Sequence, residues 1–148
     1  FPTCSNMLGP IVNPSRPPCQ MPGVPTPDQM RLYDSVYREI GIDYAIVNSI
    51  DGYDEISLTG DFKVTTNDYE RVFSPSELGL LTAGPEELSL ENRALPAQKD
   101  IVIANAAFGI QVYEKGRKSI GECIDIARES IDSGRALATF RKFAEINS

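Results

Sequence analysis

Apolar and polar residues recur with two different periods along this chain, and the switches between them mark out its elements. From Thr26-Pro27-Asp28-Gln29 onward, Met30, Tyr33, Val36, Tyr37 and Ile40 return at helical spacing. Thr26 can cap this helix, Pro27 suits its first position, and Gln29 would complete a capping box. Gly41 is placed to end it. The next run, Tyr44-Ala45-Ile46-Val47, is short and wholly apolar, which predicts a buried strand. Phe62–Thr66 and Glu70–Phe73 alternate and are rich in β-branched residues, so they predict a hairpin that turns at Asn67-Asp68. Ser74-Pro75-Ser76-Glu77 repeats the capping logic and opens a short helix toward Leu80. Residues 82–97 carry Gly84-Pro85, Pro96 and many charges and predict irregular structure.

Two longer helices follow. Ile101–Lys115 is apolar almost all round, the signature of a buried helix. Its Ala104, Ala106, Ala107 and Gly109 would let a neighbouring backbone come close. A capping box of Ser119 with Glu122 starts the second, whose stripe is Ile120, Cys123, Ile124, Ala127 and Ile131. It should end near Ser133-Gly134, with Arg135–Asn147 as a third helical piece. Seven prolines crowd residues 1–25 and exclude helix and central strand there, leaving either an ordered loop or a flexible linker. The apolar residues among the turn formers of Leu8–Pro14 favour the ordered loop. Helix, short loop and buried strand in succession predict an α/β layer architecture, and 148 residues suit one domain.

Composition narrows the chemistry. A net charge of −7 argues against nucleic acid, whose phosphates an acidic surface repels. No run approaches the roughly 20 apolar residues that cross a bilayer, and no secretory leader is visible, so a membrane partner is not expected. Cys4, Cys19 and Cys123 match no zinc spacing and predict reduced thiols in a cytoplasmic protein. Because the chain has no histidine, it cannot hold a Ser-His-Asp or Cys-His pair or a His-based metal site. Any chemistry rests on carboxylates, amides, hydroxyls, cationic side chains or a metal.

The densest candidate is Asp51-Gly52-Tyr53-Asp54-Glu55, directly after the predicted strand. Ligands collect at strand ends in open α/β sheets, and adjacent Asp54 and Glu55 offer the hard oxygens that Mg²⁺ or Mn²⁺ accepts. On local sequence alone a solvated Asp-Gly turn is the commoner reading, and the calcium-loop spacing is absent. Asn6, Gly9, Pro10 and Asn13 form a second candidate: Gly9 could admit a ligand close to the backbone, and the two amides could bond a polar group. Asn105, a polar amide in an apolar helix, needs a partner, and capping a loop is the more natural role than touching a ligand.

Taken in order, these pieces carry a resemblance. Asn6-Met7-Leu8-Gly9-Pro10-Ile11-Val12-Asn13-Pro14 resembles the FNxLGPLxNP segment of anthranilate phosphoribosyltransferases, and Gln20 with Gly23-Val24 resembles the Q-x-x-G-V that follows. Asp51 through Ser57 is similar to the family's DGxDE(I/L)S turn, and Ser74 through Leu80 to its PEDFGL segment. Ala104-Asn105-Ala106-Ala107 resembles its LNAA helix, and Ser133-Gly134-Arg135-Ala136 its SGxA. The resemblance implies the second half of a phosphoribosyltransferase/nucleoside-phosphorylase-type α/β domain, with helices packed on a mixed sheet and residues 1–148 forming a partial catalytic domain. It implies transfer of a phosphoribosyl group from phosphoribosyl pyrophosphate (PRPP) to anthranilate in tryptophan biosynthesis. Small-molecule substrates would be the partners, Mg²⁺ the cofactor on Asp54 and Glu55, and Asn6 through Pro14 would lie toward anthranilate. A homodimer would form through a helical domain outside this chain. The family's GTGGD and KHGN segments have no counterpart here, Pro2 stands where it has arginine, Asn48 or Ser49 stands where it has histidine, and the stretch from Glu87 to Gln98 is short. The fragment alone should therefore be nearly inactive. A related nucleoside phosphorylase or a non-catalytic binding paralogue remains the alternative.

Overall fold

A computed structural model describes residues 8–82, 84 and 96–147 of the chain. Asn6 and most of the expected irregular stretch 82–97 lie outside these residues. Four strands form one sheet in the order β1 (Cys19–Gln20), β2 (Asp43–Ser49), β3 (Phe62–Thr66) and β4 (Glu70–Phe73). β1 runs parallel to β2, whereas β2–β3 and β3–β4 are antiparallel, so the sheet is mixed. The helices are α1 (Pro27–Ile40), α2 (Pro96–Tyr113), α3 (Ile120–Asp132) and α4 (Arg135–Ile146), with a 3₁₀ turn at Pro75–Leu78.

β2 explains the layering. Tyr44 and Ile46 point into one core with Met30, Tyr33 and Tyr37 of α1, and Ala45 and Val47 point into the other with Ile103, Ala104, Ala107 and Phe108 of α2. Successive side chains of a strand face opposite sides, so a strand apolar at every position is satisfied only when helices cover both of its faces. On the α2 side, Phe62 and Phe73 stack at 5.8 Å and meet the Phe108 ring edge-on. α3 packs behind α2 through Cys123, Ile124 and Ala127.

Local signals set the ends of these elements. Thr26 Oγ1 accepts from Gln29 N–H at 3.3 Å, and Gly41, at φ +75°, closes α1 by donating to Tyr37 O at 2.9 Å. The Ser119–Glu122 capping box of α3 forms in both directions. Three expectations need correction. A two-residue strand, β1, lies inside the proline-rich region expected to be loop, and Gly23 and Val24 continue along β2 beyond it. Flanking prolines hid it, yet edge strands tolerate proline because one of their N–H rows pairs with nothing. α2 begins at Pro96, a residue expected to be irregular, because proline fits a first helical position. α2 is also not buried all round, since Val102 and Ala106 face outward. α4 buries no residue, and its Leu137, Phe140, Phe143 and Ile146 stay more than half exposed. No helix among the described residues is long and apolar enough to cross a membrane.

Candidate functional site

The acidic turn sits in the β2–β3 connection, at the carboxyl end of β2. Ser49 closes β2 by accepting from Gly52 N–H at 2.9 Å, and Gly52 adopts φ +93°, a conformation that favours glycine. Asp51 has partners that the other two acids do not share: Ser57 Oγ donates to its Oδ2 at 3.3 Å, and Thr59 Oγ1 bonds the same oxygen. The three carboxylates of the turn do not converge on one point, and no group of three metal-binding side chains occurs among the described residues. The reason is local. The hydroxyls of Ser57 and Thr59 lie within reach of Asp51 and give it partners of its own.

Asp54 and Glu55 remain as an exposed adjacent pair, and neither forms an ion pair with any described residue. Their backbone, in contrast, is held from three elements. An ideal Cβ on Gly23 would fall 1.4 Å from Asp54 O, so the segment after β1 packs directly on the turn. The buried Ser49 hydroxyl donates to Glu55 O at 2.5 Å and accepts from Ser57 N–H at 3.2 Å. From α2, Asn105 Nδ2 donates to Ile56 O at 2.9 Å while its Oδ1 accepts from Ile56 N–H at 3.2 Å. Asn105 thus holds a loop, as its place in an apolar helix predicts. Asn48 Nδ2 donates to Val24 O at 2.7 Å, so the two residues standing where the family's histidine is expected both tie the turn to its frame.

This arrangement suits a hydrated divalent cation. Mg²⁺ keeps several waters and commonly takes one or two carboxylates together with substrate phosphates, so an exposed acid pair on a backbone held from three elements suits it. Asp54 and Glu55 would hold the ion. Asp51, the third carboxylate of the turn, is already bonded to Ser57 and Thr59.

The second candidate lies elsewhere. Gly9 and Pro10 sit in a turn in which Leu8 O accepts from Ile11 and Val12 N–H at 3.0 and 2.9 Å. Asn13 Oδ1 caps its own turn by accepting from Ser15 N–H at 3.0 Å. Asn13 also lines a cleft of about 600 Å³ with Arg16, Gln20, Ile40 and Ile42, at the start of β2. The acid pair lies past the other end of that strand, roughly 20 Å along it. A smaller cleft of about 210 Å³ lies by the β3–β4 turn and Lys115, and it too excludes the acids. The structure does not bring Asn13 and the acid pair together. Sequence reasoning missed Ser49 and the packing role of Gly23. The signal for Gly23 was its place in the Q-x-x-G-V resemblance, whereas Ser49 at a strand end carries no mark in one dimension.

The fold and motifs have counterparts among known proteins. The anthranilate phosphoribosyltransferase of Phocaeicola vulgatus is 50% identical over 161 aligned positions, covering 99% of this chain and 48% of that protein. The Bacteroides thetaiotaomicron enzyme of the same name is 46% identical with the same coverage. Because 161 positions exceed the 148 residues of the chain, these relatives carry residues within the aligned region that this chain lacks. Among solved structures, the Saccharomyces cerevisiae anthranilate phosphoribosyltransferase in complex with PRPP and Mg superposes with a TM-score of 0.77 at 26% identity, over 97% of this chain and 45% of that one. The Thermus thermophilus enzyme gives 0.75 at 27%, over 93% and 46%. The chain spans about half the length of the curated relatives it matches. The resemblance to anthranilate phosphoribosyltransferases therefore holds in sequence and in fold. A family profile described as "Glycosyl transferase family, a/b domain" matches residues 1–137, and the chain belongs to that family.

Proposed function

We propose that this chain is the second half of the catalytic α/β domain of an anthranilate phosphoribosyltransferase. In that reading the anthranilate nitrogen bonds to the anomeric carbon of PRPP as the bond to pyrophosphate breaks, and the product enters tryptophan synthesis in the cytoplasm. The observation that carries the reading is the exposed Asp54–Glu55 pair, without a cationic partner among the described residues and fixed through its backbone by Gly23, Ser49 and Asn105. Support comes from the relatives, whose name is that of this enzyme, and from the yeast structure holding PRPP and Mg. Asp54 and Glu55 would bind Mg²⁺, which supplies a Lewis acid that offsets negative charge on pyrophosphate. The chain's own contribution is to present two carboxylates at a strand end and to hold them without reorganisation. The small helical domain, the PRPP loop and any dimer contact would belong to the rest of a polypeptide about twice this length.

The test is the double variant Asp54→Asn/Glu55→Gln in the full-length polypeptide, assayed by the loss of anthranilate fluorescence with PRPP and Mg²⁺. We expect kcat/KM for PRPP to fall on the order of 100-fold or more, which is about 3 kcal/mol of lost transition-state stabilisation. Unchanged turnover removes the proposal. Turnover of pyrimidine nucleosides with phosphate, and none of anthranilate, would reassign the acceptor.

A further inference from the structure

An acid pair is only as well placed as the backbone that carries it, and one side chain of α2 grips that backbone in both directions. Asn105 Nδ2 donates to Ile56 O at 2.9 Å and Oδ1 accepts from Ile56 N–H at 3.2 Å. Ile56 follows Glu55 directly and is fully buried, so Asn105 supplies the partners that its backbone N–H and C=O need. The second Nδ2 hydrogen goes to Ile101 O at 3.0 Å, one turn back on the same helix. That bond fixes the side-chain rotamer, and two carbonyls at Nδ2 with one N–H at Oδ1 fix which way the amide points. α2 is itself packed on the sheet through Ile103, Ala104, Ala107 and Phe108. The position of the core is thereby handed to the residue next to the carboxylates.

We infer that Asn105 is a positioning residue for the cation site: it sets the placement of the Asp54 and Glu55 carboxylates, and so their affinity for a divalent cation, without touching the ion. The inference rests on the reading of Asp54 and Glu55 as cation ligands. Groups that orient metal ligands typically cost tenfold to a hundredfold in metal affinity when removed. A purely structural Asn105 predicts something different, namely lost stability with cation affinity intact.

The experiment titrates the full-length polypeptide with Mn²⁺ alone, without substrate, and follows the free ion by electron paramagnetic resonance. Asn105→Ala should raise the apparent Kd about tenfold. Ile103→Ala, which removes buried apolar contacts from the same helix but leaves both hydrogen bonds to Ile56 in place, should lower Tm and leave Kd unchanged. Asp54→Asn/Glu55→Gln should abolish binding at this site. If Asn105→Ala does not fold, Asn105→Ser replaces it, because serine can still bond Ile101 O but is too short to span to Ile56. Equal Kd values for the Asn105 and Ile103 variants, beside lost binding in the acid-pair variant, overturn the inference and leave the functional reading standing. Unchanged binding in the acid-pair variant overturns both.

Discussion

At the residue scale, the site depends on backbone control more than on side-chain electrostatics. Gly23 is required by close approach and not by an unusual φ: the space its Cβ would occupy is filled by the carbonyl of Asp54. Gly23→Ala should force the turn or the post-β1 segment to move, at a cost of roughly 1–3 kcal/mol. Chemical denaturation of the variant checks this, and a midpoint equal to that of the unsubstituted protein would show that the turn yields freely. Asn105 is the complementary case. Removing its amide strands a buried N–H and a buried C=O on Ile56, each worth about 1–3 kcal/mol when unsatisfied. The same residues that order the turn also contribute to stability, so only a readout of cation binding separates the two roles.

At the element scale, α1 is tied to the sheet by a polar network as well as by its tyrosines. Tyr44 of β2 donates to Asp34, and Arg38 donates to Asp34 at 3.1 Å and to Thr66 O and Asn67 O at 3.3 Å. Asn67, at the hairpin turn, accepts from Tyr44 N–H and donates to Ile42 O, both at 2.9 Å. Burial by itself would raise the Asp34 carboxyl, but the hydrogen bonds from Tyr44 and Arg38 outweigh it and hold the pKa below the ordinary 3.8. The unfolded chain then takes up this proton before the folded one does as pH falls. The contribution of Asp34 to stability is full above about pH 4 and is lost as pH drops through the folded pKa. Asp34→Asn should therefore show a smaller loss of Tm between pH 7 and pH 3 than the unsubstituted protein. Parallel Tm curves for the two would sink this account.

At the scale of the whole molecule, a strand covered on both faces divides the interior in two. α1 closes one core with Tyr33, Tyr37 and Tyr44, and α2 with α3 closes the other around Phe62, Phe73 and Phe108. The acid pair hangs off the end of the strand the two cores share. Because the chain spans about half the length of its relatives, the proposed function requires groups it does not carry. Lost positioning removes several kcal/mol of catalysis. The 148-residue chain assayed alone should give no measurable consumption of anthranilate, while the same segment joined to the N-terminal half of the 50% identical relative should restore it. Turnover by the segment alone would show that the acid pair and its frame suffice.

The sequence by itself determined what short-range physics controls. Periodicity located α1, β2 and the β3–β4 hairpin; Thr26, Gly41 and the Ser119–Glu122 box located helix ends, because capping acts over three or four residues. It also showed that the chain has no histidine, which left the paired acids in a glycine turn as the densest candidate for chemistry. Tertiary structure decided the rest. It separated Asp51 from Asp54 and Glu55, since nearby hydroxyls compete for a carboxylate only once the loop is folded. It made a strand of Cys19–Gln20, whose hydrogen bonds come from β2, 24 residues away in register. It set Asn13 and the acids at opposite ends of β2, and it brought Gly23 and Asn105 to one turn, because contacts between distant segments have no period along the chain.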